Sequence, residues 1–568
     1  MDSRCDVRCV ECDDSVVIEF VYTIDTTSQR SFHFKRDKNE TLRQTFARIA
    51  LNINKSLKKK TKTKSKTTAQ TDADAVDIHL ISDGVSVSQD SANTHVWKSG
   101  QTLVVGVNRY NVFVNAPTVK WMRLLKVLMS SFKIYPIISL EFCSLNECQY
   151  YWFRESIQTI NSTVVEMGTD KQTKQTAKDS ENSDWVLVGE GFYYETTSDD
   201  IGSKLKVVCH PLNGRQCEAI SENPIEANPG LCPFEERTMF CQNAVNFGSF
   251  RIVSYNILAN IYADQDYTRT VLFPYCPPYA LAIDYRKQLL LKEITGYKAD
   301  IYCLQEVDKL VFDADLKPIM SSLYEINSKP KYESIFSEKG NTGEGLAAFV
   351  NTSKFEILSA ETVCLSQELQ TNPIFAQLLS DISVNEKLLD RLMARYSVIQ
   401  CILCMSLEDN NRAILLGNTH LYFHPDADHI RLIQSYIYVK YIENKIKILS
   451  KKRPELKVSP ILCGDYNSCP EFGVFQLMTT DSDETIDGID MHHSLSLDSA
   501  CGQPVYTNYT PGFSGCLDYI FFDTNQLEVS EVIPMPSHEQ VVQNMGLPSI
   551  VFPSDHLALI SVLKWKTC

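Results

Sequence analysis

The stretch Ile461–Pro470, ILCGDYNSCP, runs three apolar residues and a glycine directly into an aspartate and an asparagine. Asp, Asn, Ser and Gly are common in turns, so a simple surface turn would explain these polar residues. The alternative interpretation is that Asp465 and Asn467 are two oxygen ligands held where a buried strand ends. The other strand ends of the chain decide between the two.

The same kind of position recurs through the second half of the sequence. Six apolar runs of strand-like composition end or begin at a carboxylate, an imidazole or a carboxamide. The runs are IVSYN, IYCLQE, ILLGNTH, ILCGDYN, DYIFF and DHLALISV, and their polar residues are Asn256, Glu306, His420, Asp465, Asn467, Asp518, Asp555 and His556. One aspartate at a strand end is usually a turn or a cap, but six such ends together indicate one shared site.

The residue types at these strand ends favour a hard metal ion. Carboxylate and carboxamide oxygens suit magnesium or manganese, and the sequence offers no cluster of cysteine and histidine of the sort that zinc prefers. Two metal ions about 4 Å apart can clamp both the attacking and the leaving oxygen of an in-line displacement. A serine hydrolase is the competing class, but the sequence lacks the Gly-x-Ser-x-Gly elbow that it would need.

Strands alternate with helices after Phe250. The run IDYRKQLLLKEITGY, Ile283–Tyr297, predicts an amphipathic helix that stops near Gly296, and Asp428–Leu449 predicts a long helix between two strands. This alternation is typical of an α/β domain in which helices cover a sheet core.

The sequence before residue 230 is β-rich instead. Ser15–Arg36 alternates apolar and polar residues around a Thr-Thr-Ser-Gln turn, which predicts a hairpin, and residues 100–115 return to a strand pattern. The blocks around Trp152 and within Asp184–Gly214 are also strand-like. The predicted domains are a β-rich accessory region, a Pro- and Gly-rich linker and a catalytic domain, over residues 1–230, 231–247 and 248–568.

A Lys- and Thr-rich run interrupts the accessory region at Lys55–Ala75, KSLKKKTKTKSKTTAQTDADA. Its low complexity and its charge predict a solvated, flexible insertion over residues 55–75. A tail that attracts RNA is the functional alternative.

Bulk composition excludes several classes of protein. At 568 residues the chain is too long for one ordinary core, and it has no apolar run of the roughly 20 residues that span a bilayer. Its net charge of −15 argues against a nucleic-acid coat but permits an enzyme that meets phosphate with metal ions. The 19 cysteines are scattered and odd in number, so we expect reduced thiols rather than disulfides or structural zinc.

The blocks SYNIL, LQEV, NTHL, GDYNS, LDYIF and SDH resemble, in order and approximate spacing, those of the endonuclease/exonuclease/phosphatase superfamily. The resemblance covers Phe250–Lys566 and implies a four-layer α/β sandwich, in which two β-sheets pack face to face between outer layers of helices. Longer blocks, including NTHLYFHPDADHIRLIQ and YTNYTPGFSGCLDYIF, resemble the deadenylase branch, including its animal members that degrade 2′,5′-oligoadenylate and trim poly(A).

The resemblance also implies roles for the strand-end residues. The predicted metal ligands are Glu306, Asp465, Asn467 and Asn256. The predicted catalytic residues are Asp465, His420, His556, Asp518 and Asp555. Within these sets we expect Glu306 to be the principal ligand and Asp465 to be the acid/base residue, while the two histidines contact the scissile phosphate and the aspartates beside them fix their charge. Mg²⁺ is the expected cofactor, with Mn²⁺ as the alternative.

Recognition of adenine requires flat apolar surfaces. Phe513 and Pro425 match the positions that sandwich the terminal adenine in related deadenylases, where base stacking on an aromatic ring is worth roughly 1–3 kcal/mol. Ordinary packing in a glycine-flanked loop is the alternative for Phe513. We expect Tyr275 and Tyr279, in FPYCPPYAL, to line the same mouth.

We therefore expect a Mg-dependent phosphodiesterase and 3′-exoribonuclease that hydrolyses 2′,5′-oligoadenylate and 3′,5′-poly(A) and releases 5′-AMP. Its expected partners are adenylate oligonucleotides and poly(A) RNA, with no membrane contact. A phosphatase acting on a phosphoinositide or a nucleotide monoester is the alternative, and it would favour a basic pocket that the strand ends lack. A non-enzymatic scaffold would have broken catalytic blocks, whereas all six blocks are intact.

The sequence leaves the linkage and the compartment open. A 2′,5′ and a 3′,5′ linkage present the same phosphate and base, so the residues rank neither above the other. The resemblance suggests an intracellular enzyme of the mitochondrial matrix. The start MDSRCDVRCVECDD is too acidic for a clear presequence, which leaves the cytoplasm as the alternative.

Overall fold

The structure is a computed structural model, and it describes residues 4–25, 28–61, 76–156, 184–322, 325–326, 329–480, 484–486 and 489–566. These residues form two compact units. The first unit comprises Met1–Met122, Ile138–Tyr150 and Val208–Glu218, and the second comprises Arg123–Ile137, Tyr151–Val207 and Ala219–Cys568.

The first unit is built on a seven-stranded sheet with one long helix. In spatial order its strands are Ser28–Asp37, Ser15–Asp25, Arg4–Arg8, Asn108–Val114, Thr102–Val105, Ile78–Ser82 and Val85–Ser86. The predicted hairpin is confirmed, because the first two of these strands pair antiparallel. Helix Leu42–Thr61 packs Phe46, Ile49 and Ile53 into the same hydrophobic core as the strands.

Helix Leu42–Thr61 extends into the predicted insertion. The helix includes residues 55–61, because the helical spacing of the apolar side chains continues through Leu57 at the edge of the core. The flexibility predicted for residues 55–75 stays a prediction. Residues 62–75 lie outside the described part of the chain.

Short strands and turns follow between residues 93 and 220. The strands are Thr118–Arg123, Lys133–Ile134, Ile137–Glu141, Cys148–Glu155, Trp185–Glu190, Tyr194–Glu195, Leu205–Pro211 and Cys217–Ile220, and the helical turns are Asn93–Val96, Leu145–Glu147 and Ser198–Asp200. The Trp152 ring is buried, donates its indole N–H to the Gly191 carbonyl at 2.9 Å and stacks on Tyr194. The β-rich character predicted for this part of the chain is confirmed.

Two six-stranded sheets form the centre of the second unit. The strands of sheet one, in spatial order, are Tyr332–Glu338, Glu344–Asn351, Ile301–Asp308, Ser249–Asn256, Leu559–Trp565 and Leu527–Val532. Those of sheet two are Phe355–Cys364, Val398–Ser406, Arg412–His420, Lys457–Asp465, Asp518–Asp523 and Leu497–Ser499. Apolar side chains of both sheets share one core, among them Ile252, Cys303, Ile402, Leu416 and Ile461, so the sheets pack face to face.

Helices cover the two outer faces, which confirms the predicted four-layer α/β sandwich. Leu290 and Ile294 of helix Ile283–Gly296 pack against sheet one, and Ile433 of helix Asp428–Lys452 packs against sheet two. The other helices are Pro233–Met239, Asn260–Ala263, Thr268–Leu272, Pro278–Leu281, Lys309–Val311, Phe312–Leu316, Lys317–Ser322, Leu365–Thr371, Pro373–Phe375, Ala376–Ser383, Glu386–Met393, Gly473–Thr479 and His538–Val542. Two-stranded ribbons complete the unit at Glu325–Ile326 with Lys329–Pro330, Glu484–Ile486 with Ile489–Met491, and Asn508–Thr510 with Phe513–Gly515.

The contact between sheet two and its long helix depends on a glycine. A Cβ at Gly417 would lie 2.0 Å from the Tyr438 hydroxyl, so only glycine lets the tyrosine ring of the helix lie on the strand. None of the described helices has the length and apolar character that crossing a bilayer requires. The described cysteines form no disulfide.

The second unit also contains residues that precede the predicted catalytic domain. Phe132 and Phe234 lie in one hydrophobic core with Leu289, and the Tyr135 hydroxyl donates to Asp315 at 2.6 Å. The buried Arg237, within the predicted linker, donates to the carbonyls of Pro534 and Ala558 at 2.9 Å and 2.7 Å. The division at residues 231–247 stays a prediction, and these contacts define how to test it.

A fragment that begins at Arg123 should be more stable than one that begins at Gln242. The shorter fragment loses Phe132, Phe234 and the Arg237 hydrogen bonds, and each buried aromatic side chain is worth about 3–5 kcal/mol. Thermal unfolding followed by circular dichroism measures the difference. Equal melting temperatures would show that the catalytic sheets need nothing before residue 242.

Candidate active site

The predicted strand ends meet at one edge of the two packed sheets. In sheet two, His420 is the parallel neighbour of Asp465, and Asp465 is the antiparallel neighbour of Asp518, so three adjacent strands present three polar side chains side by side. In sheet one, Asn256 and Glu306 lie at the same end of neighbouring parallel strands. The pattern read from the sequence therefore describes one site.

The Asn256 side chain joins the two sheets. Its amide nitrogen donates to Glu306 Oε1 and to Asp465 Oδ2, each at 3.0 Å, while its amide oxygen accepts the Leu258 N–H at 3.0 Å. Asn256 thus offers a donor, not an oxygen, to the site in this structure. Its assignment as a metal ligand stays a prediction, and its observed role is to hold two carboxylates from different sheets.

Glu306 reaches the site through a local irregularity of its strand. The strand register shifts between Leu304 and Val307, and Glu306 adopts a left-handed backbone with φ of 53°. Such a bulge re-aims a side chain, and here it directs the carboxylate toward Asn256 and the Ala259 N–H, which donates at 3.1 Å. Burial, followed by the nearby Asp555, raises the pKa of Glu306 to about 7.

Asp465 and Asn467 form the turn that the opening stretch predicts, while their role as oxygen ligands stays a prediction. The Asn467 N–H donates to Asp465 Oδ1 at 2.9 Å, and Asn467 has a left-handed φ of 51°, so the two residues do form a turn. The same turn leaves Asp465 Oδ2 facing the Asn256 amide and both histidines. Burial, followed by Asp518, raises the pKa of Asp465 to about 6.

The two histidines carry opposite charge preferences. His556 Nδ1 bonds Asp518 Oδ2 at 2.8 Å, and although burial lowers its pKa, the carboxylates of Asp518, Asp465 and Asp555 raise it well above the usual value. The described carboxylates nearest His420 lie 3.7 to 4.0 Å away, beyond hydrogen-bond distance, and burial holds its pKa well below the usual value. Both Nε2 atoms face Asp465 Oδ2, at 3.6 Å for His556 and 3.7 Å for His420.

Sequence reasoning missed the side chains that support these groups. Thr507 Oγ1 donates to Asp518 Oδ2 at 2.6 Å, and Asn508 Nδ2 donates to Asp555 Oδ2 at 3.1 Å. Glu344 is fully buried at the start of its strand, with Oε1 4.0 Å from His420 Nδ1. The search for polar residues at the ends of strand-like runs could have found Glu344, because Glu344 opens the run EGLAAFV. No sequence signal distinguishes Thr507 or Asn508.

The donor set fits a hard divalent cation. Several buried carboxylate oxygens have no hydrogen-bond partner among the residues that the structure describes, namely Asp518 Oδ1, Asp555 Oδ1 and Glu344 Oε1. Ligand atoms of Asp465, Asp518 and His556 also lie within 4.8 Å of one another. Buried polar atoms are nearly always paired, so a concentration of unpaired carboxylate oxygens is suited to a cation that prefers oxygen ligands.

The four predicted adenine contacts differ in how far they are exposed to solvent. Phe513 is 47% exposed on the two-stranded ribbon Asn508–Thr510 with Phe513–Gly515. Asn508 of the same ribbon forms a β-bridge with His556. Pro425 is exposed on the loop after the His420 strand. The Tyr275 hydroxyl donates to the Leu547 carbonyl, and Tyr279 is 58% exposed against the Tyr285 ring. Their contact with adenine stays a prediction.

Comparison with known proteins defines the class. Residues 253–556 match the sequence profile of the Endonuclease/Exonuclease/phosphatase family, so the chain belongs to that family. It is therefore a divalent-metal-dependent hydrolase, and the predicted fold and enzyme class are confirmed. Residues 116–228 match the profile described as 2′,5′-phosphodiesterase 12-like, N-terminal domain.

Two relatives by sequence and one solved structure illustrate what the chain is similar to. The 2′,5′-phosphodiesterase 12 of Mus musculus is 37% identical over 498 residues, which are 85% of this chain and 79% of the mouse protein. The CCR4-Not complex 3′-5′-exoribonuclease subunit Ccr4 of Mycosarcoma maydis is 28% identical and covers 56% of this chain and 51% of its own length. Among solved structures, ANGEL2, a 2′,3′-cyclic phosphatase, aligns with a TM-score of 0.44 and 21% identity over 57% of this chain and 98% of its own.

Removal of the Asp518 carboxylate should lower the pKa of His556. In Asp518→Asn the imidazole stays buried but loses a negative neighbour that favours its charged form. We expect His556 of the metal-free wild type to stay protonated at pH 7 and that of the variant to titrate at lower pH. NMR of ¹³C-labelled histidine measures both titrations, and the exposed Asp498→Asn is the control. An unchanged titration in Asp518→Asn would contradict the assigned ion pair.

Proposed function

We propose that this chain is a Mg²⁺-dependent phosphodiesterase and 3′-exoribonuclease that hydrolyses 2′,5′-oligoadenylate and 3′,5′-poly(A) and releases 5′-AMP. The observation that carries the proposal is the convergence of Glu306, Asp465, His420 and His556 at one sheet edge. The names of the relatives, a 2′,5′-phosphodiesterase and a 3′-5′-exoribonuclease, support the linkage chemistry.

The two histidines can hold the scissile phosphate from different directions. The raised pKa of His556 favours an imidazolium at neutral pH, which attracts and donates to a phosphate oxygen. The lowered pKa of His420 favours a neutral imidazole, which donates a hydrogen bond without adding charge. Because the Nε2 atoms of both rings face Asp465 Oδ2, a phosphate between the rings would lie beside that carboxylate.

Asp465 is suited to accept the proton of the attacking water. A general base works best when its pKa lies near the operating pH, and burial raises that of Asp465 to about 6. Asn256 and Asn467 fix the two oxygens of this carboxylate through hydrogen bonds, so the group is oriented before substrate arrives. Attack on phosphorus breaks its bond to the 2′- or 3′-oxygen of the preceding ribose and leaves the phosphate on the terminal 5′-AMP.

Glu306, with Asp465 and the oxygens of Asn467 and Asn256, would hold Mg²⁺, and Mn²⁺ is the alternative ion. The ion would neutralise charge that develops on the phosphate and the leaving oxygen. The Asn256 oxygen would become available only if its amide rotated away from the Leu258 N–H.

Adenine specificity is proposed to come from Phe513 and Pro425. The exposed face of Phe513 offers a stacking surface on a ribbon joined to His556, so a base on that ring would lie next to the scissile phosphate. Tyr275 and Tyr279 are proposed to line the outer mouth. The adenylate chain and poly(A) RNA are accordingly the proposed partners.

The phosphatase alternative has less support. The relatives that cover most of this chain are named phosphodiesterases, and the groups gathered at the strand ends are mainly acidic. Location in the mitochondrial matrix, with the cytoplasm as the alternative, stays a prediction that microscopy of a C-terminally tagged chain would test.

Purified full-length protein should cleave both 2′,5′- and 3′,5′-linked adenylate trimers to 5′-AMP when Mg²⁺ is present and should stop when EDTA removes it. Glu306→Ala should lose turnover by about 100-fold or more, because it removes a charged oxygen from the proposed metal site. Chromatography of the nucleotide products measures the rates. The exposed Glu528→Ala, at the far edge of sheet one, is the matched control. Release of inorganic phosphate from monoesters, without 5′-AMP, would favour the phosphatase instead.

Phe513→Ala should slow adenylate cleavage by about 10-fold or more, if stacking supplies the roughly 1–3 kcal/mol that an aromatic ring gives. Oligouridylate stacks less well, so its cleavage should suffer less. The ratio of kcat/KM values on the two substrates measures the effect. Equal losses on both would assign Phe513 a packing role.

A further inference from the structure

The main-chain turns on the two sides of the site are held by one buried side chain, that of Arg286 on helix Ile283–Gly296. This arginine is 0% exposed although it is among the largest side chains of the protein. Its guanidinium donates to four main-chain carbonyls: Leu281 at 2.9 Å, Ile257 at 3.2 Å, Leu258 at 2.8 Å and Pro553 at 3.1 Å. It forms no ion pair with the described residues, so its contacts are almost entirely with the backbone.

The first of these turns sets the direction of two donors to the catalytic carboxylates. Leu258 has a left-handed φ of 57°, its N–H donates to the Asn256 side chain, and its carbonyl accepts from Arg286. A β-carbon makes this conformation uncommon outside glycine, so the turn depends on such contacts. The adjacent Ala259 N–H then points at Glu306, and the Asn256 amide at Glu306 and Asp465.

The second turn carries His556. Arg286 holds the Pro553 carbonyl, and the next residue, Ser554, donates its hydroxyl to the Asn256 carbonyl at 2.7 Å and accepts the His556 N–H at 3.2 Å. The two turns therefore meet at one atom, Nη1 of Arg286, which donates to carbonyls of both. The charge of the arginine also interacts with the carboxylates of Asp308, Asp555 and Glu306, and a fixed cation offsets repulsion among such groups.

We propose that Arg286 is a positioning residue for the hydrolytic reaction: it fixes the Asn256 turn against the His556 turn and so holds Glu306 and the imidazole in their reacting arrangement. The proposal rests on the hydrolase activity of the family and is independent of which phosphodiester is the substrate.

Arg251 is a matched control on the same unit. It is 3% exposed and also donates only to carbonyls, those of Cys241, Tyr297, Lys298 and Asn243 at 3.1 to 3.3 Å. It lies on strand Ser249–Asn256, near the end opposite Asn256. Loss of Arg251 should therefore reduce stability as loss of Arg286 does, without changing the geometry of the site.

The experiment compares full-length Arg286→Ala, Arg286→Lys and Arg251→Ala with the wild type. On a 2′,5′-adenylate trimer, Arg286→Ala should lose about 100-fold in kcat, since a misplacement of about 1 Å costs that much, while KM changes little. Arg286→Lys should retain more activity. Millimolar guanidinium, which can re-enter the vacated site, should restore kcat of Arg286→Ala, whereas equimolar urea should not. Arg251→Ala should keep its kcat below its melting temperature and show no rescue.

Two outcomes would overturn the proposal: a kcat near wild type in Arg286→Ala, or equal losses in the alanine variants of both arginines with no rescue by guanidinium. Calorimetric Mn²⁺ binding gives a readout without substrate, and weaker binding is expected for Arg286→Ala than for Arg251→Ala. If the wild type cleaves no adenylate, the proposed substrate is wrong. The Mn²⁺ affinities of the two alanine variants then decide the role of Arg286, and equal affinities would overturn the proposal. If Arg286→Ala does not fold, Arg286→Lys is judged by the same two readouts.

Discussion

The candidate active site is organised around the side-chain amide of Asn256. Its Nδ2 donates at once to Glu306 of its own sheet and to Asp465 of the facing sheet, so it is a direct polar link between the two sheets at this edge. The two carboxylates share this one neutral donor, and the charge of His556 also favours their ionised forms. The spacing of the sheets, set by their apolar core, therefore fixes the spacing of the reacting groups.

Burial then sets the chemistry of those groups. Acidic side chains removed from water resist ionisation, which raises the pKa of Glu306 to about 7 and that of Asp465 to about 6. The same acidic surroundings stabilise the charged form of His556, because Asp518 bonds its ring directly. Burial holds the pKa of His420 well below its usual value, which favours the neutral ring. The two histidines of the site thus have opposite pKa shifts, one set mainly by burial and the other by hydrogen-bonded and nearby carboxylates.

Support for the site comes from residues that carry no catalytic signature. Thr507 and Asn508 hold the carboxylates of Asp518 and Asp555, and Ser554 closes the His556 turn onto Asn256. Each of these is an ordinary polar residue in a loop, where a turn former is expected on local grounds. Their function follows from which strands the fold makes adjacent.

The sequence by itself determined the strand and helix pattern of the catalytic region and which polar residues stand at strand ends, because apolar periodicity and turn chemistry are local properties of the chain. It therefore predicted an α/β domain, and Glu306, Asp465, His420 and His556 as members of one site, while the four-layer sandwich followed from the resemblance to the superfamily. Only the tertiary structure decided that Asn256 presents its nitrogen, that Glu344 and Arg286 lie buried beside the site, and that Phe132 and Arg237 pack into the second unit. Those features depend on contacts between residues far apart in the chain, and no local pattern records a hydrogen bond that forms only when two sheets and a helix come together.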